Sequence, residues 1–210
     1  MFGFILNKSF SGNLKTFENI MFQNKTVYLA SKSPRRYEIL ANLGFSVIVS
    51  PSHIDETAHA TETPQDFVCR MAFEKNNFNI QQHKNCPVIS ADTIVVLNGE
   101  ILGKPTNEKQ AFQMLKALSS KTHQVMTAVC VAGQDFCQTK LNVSEVTFAP
   151  LSDNEITAYI ATGEPMDKAG AYGIQGLGGC FISHLSGSFT SVMGLPVFET
   201  VGLLQAFWGE

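Results

Sequence analysis

The chain has 210 residues, with a formal net charge of −3 and only 16% charged side chains against 44% apolar ones. This length suits one compact unit or a closely fused pair, and this composition excludes an extensively disordered chain. The small net charge excludes a global field that would draw the protein to nucleic acid or to an anionic membrane, so any anion needs a local cluster of cations.

The cysteines and the N-terminus bear on where the protein works. Five cysteines without a Cys-x-x-Cys pair argue against a disulfide framework and against a thiolate zinc site, which suits a reducing compartment. The apolar run from Phe2 to Leu6 is followed at once by Lys8 and by no cleavage site, which disfavours a signal peptide. We therefore expect a cytoplasmic protein without a membrane or nucleic acid partner.

Residues 1–25 show no clear apolar period, and Met21 stands just before the first strand pattern. We expect residues 1–25 to be an N-terminal extension outside the fold and residues 26–210 to form a single domain. An upstream translation start would also explain such a leader, with Met21 as the alternative to Met1.

Strand and helix patterns alternate from residue 26 onward, without internal repeats. Strands are predicted over residues 26–31, 45–49, 87–97, 123–132 and 141–148, with a hairpin at Asn98-Gly99 leading into residues 100–102. Helices are predicted after the pairs Ser33-Pro34 and Thr63-Pro64, over Glu108 to Leu118, from Ser152 to near Gly163, and after Pro196. Half of the 16 glycines lie between Gly163 and Gly194.

The start of the first predicted helix carries two arginines, Arg35 and Arg36, where the helix dipole is positive. An anion would offset this unfavourable arrangement. Backbone N–H groups, the hydroxyls of Ser31 and Ser33 and two guanidiniums would together form a phosphate cradle. The alternative is a solvated basic turn that forms salt bridges elsewhere.

Asp92 lies in the middle of an otherwise apolar strand pattern. A buried carboxylate is costly unless it is paired or bound to a metal. Asp92 is therefore either a metal-binding or water-activating group or a structural residue bonded to a loop. The acidic pair Asp55-Glu56 could add metal-binding oxygens, since Mg²⁺ takes one or two carboxylates with substrate phosphates, or could simply be solvated.

Three familiar motifs are excluded. The segment Gly99 to Pro105 has one residue too few for a phosphate-binding P-loop and ends in proline, although Lys104 could still touch a phosphate. The segment Gly173 to Gly179 fails the glycine order of a dinucleotide-binding loop. There is no His-Glu-x-x-His motif, so the histidines are interpreted as ordinary residues.

Four segments stand out in order along the chain: Leu29 to Arg36, Ser90 to Val96, Gly103 to Pro105, and Asp167 to Gly176. Together they resemble the Maf family of nucleoside triphosphate pyrophosphatases, and the resemblance runs from about Val27 to about Phe207. The last segment, which contains Ala-Gly-Ala-Tyr-Gly-Ile-Gln-Gly, looks like the subgroup that acts on dTTP and UTP.

The resemblance implies an α/β fold of the Maf/ITPase type, with an elongated, curved mixed sheet flanked by helices and a nucleotide cleft between two lobes. It also implies a cytoplasmic homodimer that hydrolyses a nucleoside triphosphate to the monophosphate and pyrophosphate with a divalent cation, Mg²⁺ or Mn²⁺. A nucleotide-binding regulator of cell division or septum formation with little turnover is the alternative. A nucleic-acid-binding module is disfavoured by the charge balance.

The resemblance also assigns roles to particular residues. Asp92 matches the family's proton acceptor, Arg35 and Arg36 its phosphate-binding arginines, and Lys104 its Gly-Lys-Pro lysine. Glu56 and Lys75 match its acidic loop and helix lysine, and Arg35, Thr93 and Gln175 match positions associated with substrate choice. The chemistry agrees: Asp92 and Glu56 can hold a metal ion, and the positive groups for the triphosphate can come from Arg35, Arg36, Lys75 and Lys104.

Overall fold

The computed structural model describes residue 22 and residues 25–80, 86–133 and 135–209. Its strands are β1 (Thr26–Leu29), β2 (Ser46–Val49), β3 (Val88–Leu97), β4 (Glu100–Leu102), β5 (Thr122–Gly133), β6 (Phe136–Phe148) and β7 (Ile182–Ser186). Its helices are α1 (Pro34–Asn42), α2 (Pro64–Ile80), α3 (Glu108–Leu118), α4 (Asp153–Ile160), α5 (Phe189–Met193) and α6 (Val197–Trp208). Short 3₁₀ turns lie at Glu164–Asp167, Ala169–Ala171 and Leu177–Phe181.

The strands form one mixed sheet in the order β2-β1-β3-β5-β6-β7, with β4 paired to β3. The pairs that β1 makes with β2 and β3 are parallel, whereas the pairs β3-β4, β3-β5, β5-β6 and β6-β7 are antiparallel. The predicted α/β class with a mixed sheet flanked by helices is confirmed. In the described ranges, no helix is long and apolar enough to cross a bilayer.

Local capping signals account for several of these elements. The side chain of Ser33 caps α1 by accepting a hydrogen bond from the backbone N–H of Arg36, and Gly44 follows the helix at φ 93°. Asn98 and Gly99 adopt φ values of 53° and 85°, as the predicted hairpin between β3 and β4 requires. The capping box of Ser152 and Glu155 opens α4.

Two parts of the sequence-based prediction are wrong. Strand β6 begins at Phe136, five residues before the predicted start, because residues 136–140 become a strand by pairing with β5 and carry no clear apolar alternation of their own. Strand β7 and helix α5 lie in the glycine-rich stretch, where no element was predicted. Their conformation depends on tertiary contacts that a local pattern does not encode.

One face of the sheet carries two separate hydrophobic cores. Ile89 and Ala91 of β3 belong to the α6 core, which packs against α1 and α6, and Val95 and Leu97 belong to the α3 core, which packs against α3 and α4. Thr93 lies between these two pairs on the same face. The opposite face packs against α2 in a third cluster, the α2 core.

A row of polar side chains crosses the sheet where the two cores separate. Thr93 of β3 lies opposite Thr127 of β5, which lies opposite Asn142 of β6. The hydroxyl of Thr127 donates to the carbonyl of Ser191 (2.8 Å) and lies 3.1 Å from that of Thr93. The sheet therefore leaves a polar gap between two apolar regions.

The predicted N-terminal extension lies mostly outside the described residues. Phe22, near its end, is buried, and its ring lies 4.4 Å from that of Phe45 in the α6 core. Lys25 places its ammonium 4.0 Å from the centre of the Trp208 ring. Both contacts join the start of the described chain to the α1 and α6 side of the sheet.

Candidate active site

A cleft of about 910 Å³, called here the central cleft, opens at the polar gap of the sheet. All ten residues predicted for the site line it: Ser31, Ser33, Arg35, Arg36, Glu56, Lys75, Asp92, Thr93, Lys104 and Gln175. They come from six separate segments of the chain, and the fold brings them together in one cleft.

The central cleft is cationic although the whole chain has a net charge of −3. Three carboxylates line it, those of Glu56, Asp92 and Asp167. The cationic side chains that line it are Lys32, Arg35, Arg36, Lys75, Lys104 and Lys168. Such a local excess of positive charge attracts a polyanionic ligand.

The centre of the cleft holds two carboxylates joined by one lysine. The Nζ atom of Lys75 lies 2.6 Å from Oδ1 of Asp92 and 2.9 Å from Oε1 of Glu56. Lys75 and Asp92 are mostly buried, whereas the side chain of Glu56 is 54% exposed. Asp92 is therefore a paired carboxylate that lies beside the ligand space, and the two acidic groups converge on one small region.

Helix α2 places these groups. Asp92 lies on the face of β3 that packs against α2, and Lys75 reaches it from that helix. Glu56 comes from the acidic loop, residues 50–63, which Arg70 of α2 holds by hydrogen bonds to Glu62 (2.6 Å) and to the carbonyl of Thr57 (3.1 Å). The hydrogen bond from Arg70 lowers the pKa of Glu62 to about 2. The acidic loop is thus fastened to the helix that carries Lys75.

Arg36 joins the two sides of the cleft. Its guanidinium donates to the carbonyl of Gly194 (2.7 Å), to Oγ of Ser31 (3.1 Å) and to Oγ1 of Thr93 (3.2 Å). Burial lowers the pKa of Arg36 from its ordinary value, against the opposing charge of Asp92. Arg36 therefore braces the cleft wall, and its role as a phosphate ligand stays a prediction.

Two other predicted cations lie nearer to solvent. Arg35 places Nη1 3.9 Å from Oδ2 of Asp167, at the side of the cleft opposite to α2. Lys104 is exposed, and its neighbour Gly103 accepts a hydrogen bond from the backbone N–H of Gly170 (3.1 Å). This bond brings the segment after β4 to the 3₁₀ turns, so Arg35 and Lys104 face the same ligand space.

Gln175 is exposed in the glycine loop, defined here as residues 173–179, and lines the cleft. Nearby Tyr172 is buried and forms a 2.7 Å hydrogen bond with Nε2 of His123. Burial lowers the pKa of His123 to about 4, so this histidine is neutral at neutral pH. The interpretation of all histidines as ordinary residues missed this link between β5 and the glycine loop.

The sequence-based reasoning also missed Asp167 and Lys168, which line the cleft. The Nζ atom of Lys168 lies 2.6 Å from Oδ1 of Asp167 and donates to the carbonyl of Glu164 (2.7 Å). Both residues stand in the segment that carries the family resemblance, so that segment was the available signal. Threonines at matching positions of two apolar strands, Thr93 and Thr127, were a second signal for the gap between the cores.

Among the described residues, no group of three or more His, Cys, Asp or Glu side chains could hold a metal ion. In the central cleft, carboxylate oxygens of Glu56 and Asp92 converge on the Nζ atom of Lys75. That donor set suits a hard divalent cation which takes its remaining ligands from phosphate oxygens and water.

A mixed sheet with a cationic cleft around paired carboxylates defines an α/β protein whose site suits a polyphosphate ligand. The chain belongs to the family described as Maf-like protein, whose model matches residues 26–207. The resemblance predicted from the sequence motifs is therefore confirmed.

Relatives in this family match nearly their whole length. A nucleoside triphosphate pyrophosphatase of Haemophilus ducreyi is 57% identical over 187 residues, covering 87% of this chain and 95% of that protein. A dTTP/UTP pyrophosphatase of Pasteurella multocida is 56% identical over 192 residues, covering 87% of this chain and 96% of that protein. Among solved structures, the Ham1 protein of Staphylococcus aureus is 18% identical with a TM-score of 0.49, covering 88% of this chain and 98% of that chain.

Proposed function

We propose that this protein hydrolyses dTTP and UTP to the nucleoside monophosphate and pyrophosphate, and so removes these nucleotides from the pool. The observation that carries the proposal is the pair Asp92 and Lys75 at the centre of a cationic cleft. The names of the relatives from Haemophilus ducreyi and Pasteurella multocida, at 57% and 56% identity, support the same reaction.

The cations of the cleft bind the triphosphate. Arg35 and Lys104 lie at the accessible side of the cleft, where each can reach phosphate oxygens. Ser31, Ser33 and the first turn of α1 add hydroxyl and backbone donors. Arg36 holds this wall in place through its bonds to both sides of the cleft. The leaving pyrophosphate is stabilised by the same positive charges.

Asp92 is the group that activates water. Water attacks the α-phosphorus, its proton passes to a carboxylate oxygen of Asp92, and the bond from the α-phosphorus to the bridging oxygen breaks as pyrophosphate leaves. Lys75, 2.6 Å from Asp92, fixes the orientation of that carboxylate. Because β3 is paired with β5 on either side of Asp92, the base is placed by regular backbone.

Glu56 and Asp92 would hold a divalent cation, Mg²⁺ or Mn²⁺, together with phosphate oxygens. Their convergence on one Nζ atom supports this assignment, since both carboxylates already point to the same region. Such an ion supplies charge neutralisation at the triphosphate when it is bound. Lys75, which is paired with both carboxylates, would then either move away or remain bonded to them beside the ion.

Gln175 reads the base. An amide presents one donor and one acceptor, which suits the O4 and N3–H edge of uracil or thymine. Its exposed position on the wall of the cleft supports this role, and the rest of the glycine loop lies beside it. Arg35 and Thr93, the other positions matched to substrate choice, line the same cleft.

The predicted homodimer and cytoplasmic location extend the same proposal. Phe198 on α6 is 87% exposed and Phe189 on α5 is 48% exposed, so apolar surface is available for a second copy. Analytical ultracentrifugation of the purified protein checks the homodimer, for which a single species of twice the chain mass is the expected result.

Pyrophosphate release from a panel of dTTP, UTP, CTP, dATP and GTP tests the proposed function. We expect the highest kcat/KM for dTTP and UTP. The variant Asp92→Asn should release pyrophosphate at least about a hundredfold more slowly than the wild type. Calorimetric titration of each nucleotide runs beside it. Tight binding without pyrophosphate release from any nucleotide would instead favour the nucleotide-binding regulator.

A further inference from the structure

The carboxylate of Glu164 accepts hydrogen bonds both from the glycine loop and from a tyrosine of the α3 core. Its Oε2 accepts a hydrogen bond from the backbone N–H of Leu177 (2.9 Å), and its Oε1 accepts from the N–H of Gly178 (3.2 Å) and from the hydroxyl of Tyr159 (2.9 Å). Tyr159 is buried in the α3 core, with its ring 5.0 Å from that of Phe181. Glu164 therefore connects the glycine loop to the α3 core.

The glycines of the loop leave room for this carboxylate. A Cβ atom at Gly176 would overlap the carboxylate of Glu164, and a Cβ atom at Gly178 would lie 2.7 Å from the hydroxyl of Tyr159. Gly176 has φ −102°, which alanine adopts without strain, so the close approach of Glu164 is what requires glycine there. The loop and the carboxylate fit each other closely.

The charge of Glu164 strengthens this attachment. Burial would raise the pKa of Glu164, but the hydrogen bonds from Leu177, Gly178 and Tyr159 lower it below its ordinary value. Hydrogen bonds to a charged acceptor are roughly twice as strong as those between neutral groups. At neutral pH the loop is therefore held by an ionised carboxylate.

Gln175 lies next to the attached part of the loop. It directly precedes Gly176, whose N–H donates to the carbonyl of Gly173 (3.3 Å), and it stands two positions before Leu177. Displacement of a ligand-contacting group by about 1 Å can cost about a hundredfold in rate. The position of the Gln175 amide thus depends on where Glu164 holds the loop.

We propose that Glu164 is a positioning residue for base selectivity, whose carboxylate fixes the glycine loop so that Gln175 meets the pyrimidine base. This inference rests on the proposed function and deepens it, because it assigns the geometry on which base reading depends. Glu164 is not among the residues that line the central cleft, so its loss should affect the choice of base and leave the chemical step in place.

The variant Glu164→Gln tests this inference at constant side-chain size. The side-chain amide nitrogen of glutamine cannot accept a hydrogen bond, so one backbone N–H of the loop would face another donor and lose its partner. We expect KM for dTTP and UTP to rise about tenfold while kcat stays within about twofold, and kcat/KM for dATP to change less than about threefold. A merely destabilised protein would lose kcat for every nucleotide alike.

Two further variants isolate the loop. In a Gln175→Ala background, Glu164→Gln should add less than about a twofold change, because the residue that it positions is already absent. Gly176→Ala should reproduce the effect of Glu164→Gln, since its methyl group displaces the carboxylate. Matched controls are Glu155→Gln, which removes another hydrogen-bonded carboxylate, and Gly202→Ala, whose methyl group meets nothing within 4 Å. Both controls should keep the selectivity of the wild type.

Amide hydrogen exchange of Leu177 and Gly178 measures the attachment without any nucleotide. We expect these two amides to exchange at least about tenfold faster in Glu164→Gln than in the wild type or in Glu155→Gln. Unchanged exchange, or an unchanged ratio of pyrimidine to purine kcat/KM in the folded variants, would overturn the inference while the wild type still hydrolyses dTTP. A wild type that releases no pyrophosphate overturns the proposed function, and this inference with it.

Discussion

Strand β3 and the glycine loop place side chains in the same cleft by different physical means. Asp92 and Thr93 stand in a continuous antiparallel ladder with β5, where they lie opposite Ala128 and Thr127. Gln175 stands in a loop whose neighbouring N–H groups are bonded to the carboxylate of Glu164. Backbone pairing between strands fixes the first region, whereas the carboxylate of Glu164 and short turns within the loop fix the second.

The two parts of the site differ in how firmly their side chains are held. A residue on a paired strand cannot move without breaking the ladder, whereas a loop held by one carboxylate shifts when that carboxylate is lost. In the proposed function, water is activated on β3 and the base is read on the glycine loop. Changes on β3 should therefore alter kcat for every nucleotide, and changes on the loop should alter the preference among nucleotides.

Removal of the divalent cation has the largest expected effect. Excess EDTA should reduce the hydrolysis of dTTP to background, because side-chain cations alone cannot offset the charge of a triphosphate beside Glu56 and Asp92. The measurement is initial pyrophosphate release, with and without added Mg²⁺ or Mn²⁺ in excess over the chelator. Full turnover in EDTA would show that the carboxylate pair acts without a metal ion.

Asp92→Asn should lower kcat by at least about a hundredfold, the usual scale for loss of a general base, and should do so equally for dTTP and UTP. The fold and nucleotide binding should remain, which circular dichroism and calorimetric titration check. If the variant keeps a rate near that of the wild type, the base is another residue, and Glu56, bonded to the same Lys75, is the first to test.

His123 of β5 is hydrogen-bonded to Tyr172, which directly precedes the glycine loop, and this contact should weaken at acid pH. Burial holds the pKa of His123 at about 4, below its ordinary value of 6.5, so its contribution is complete above pH 6.5 and is lost as the pH falls toward 4. Between pH 7 and pH 4 the linked loss of unfolding free energy is about 3 kcal/mol.

Denaturant unfolding of the wild type and of His123→Gln at both pH values isolates that contribution. The neutral variant should lose less unfolding free energy on acidification, by about 3 kcal/mol, whatever its stability at pH 7. Identical pH dependence in the two proteins would mean that His123 titrates in the folded state as it does in the unfolded chain.

Gln175→Ala should lower kcat/KM for dTTP and UTP by about 1 to 3 kcal/mol of transition-state free energy, with a much smaller loss for a purine triphosphate. Gln113→Ala, an exposed glutamine on α3, is the control and should change neither value. If pyrimidine and purine nucleotides lose equally, Gln175 braces the glycine loop and does not read the base.

The smallest effect is expected from removal of residues 1–20, which retains Phe22 and its contact with Phe45. The removed residues show no amphipathic period and no helix cap, so neither the melting temperature nor the activity should change. Differential scanning calorimetry and pyrophosphate release measure the two quantities. A clear drop in melting temperature would show that the leader packs on the fold.

The elements with local signals could be predicted from the sequence. The Ser33 cap of α1, the Asn98-Gly99 turn and the Ser152 capping box each depend on a few neighbouring residues, and each is present in the structure. The start of β6 could not be predicted because residues 136–140 show no apolar alternation, and they become extended by pairing with the neighbouring strand β5. The whole of β7 could not be predicted because residues 182–186 become extended by pairing with β6, which ends at Phe148.

The site divides in the same way. Asp92 stands out locally, since a carboxylate in an apolar strand needs a partner, and the structure supplies Lys75. The bonds from Glu164 to Leu177 and Gly178 cross thirteen and fourteen positions of the chain and have no period or cap that would reveal them. Glycines alone indicate close approach, but not which side chain approaches.

Product analysis of dTTP hydrolysis in ¹⁸O-labelled water determines which phosphorus atom the water attacks. If Asp92 activates water for attack on the α-phosphorus, ³¹P spectroscopy should show dTMP and pyrophosphate as the products, with the solvent ¹⁸O on the dTMP phosphate. Formation of dTDP and inorganic phosphate, or ¹⁸O on the pyrophosphate, would contradict this account.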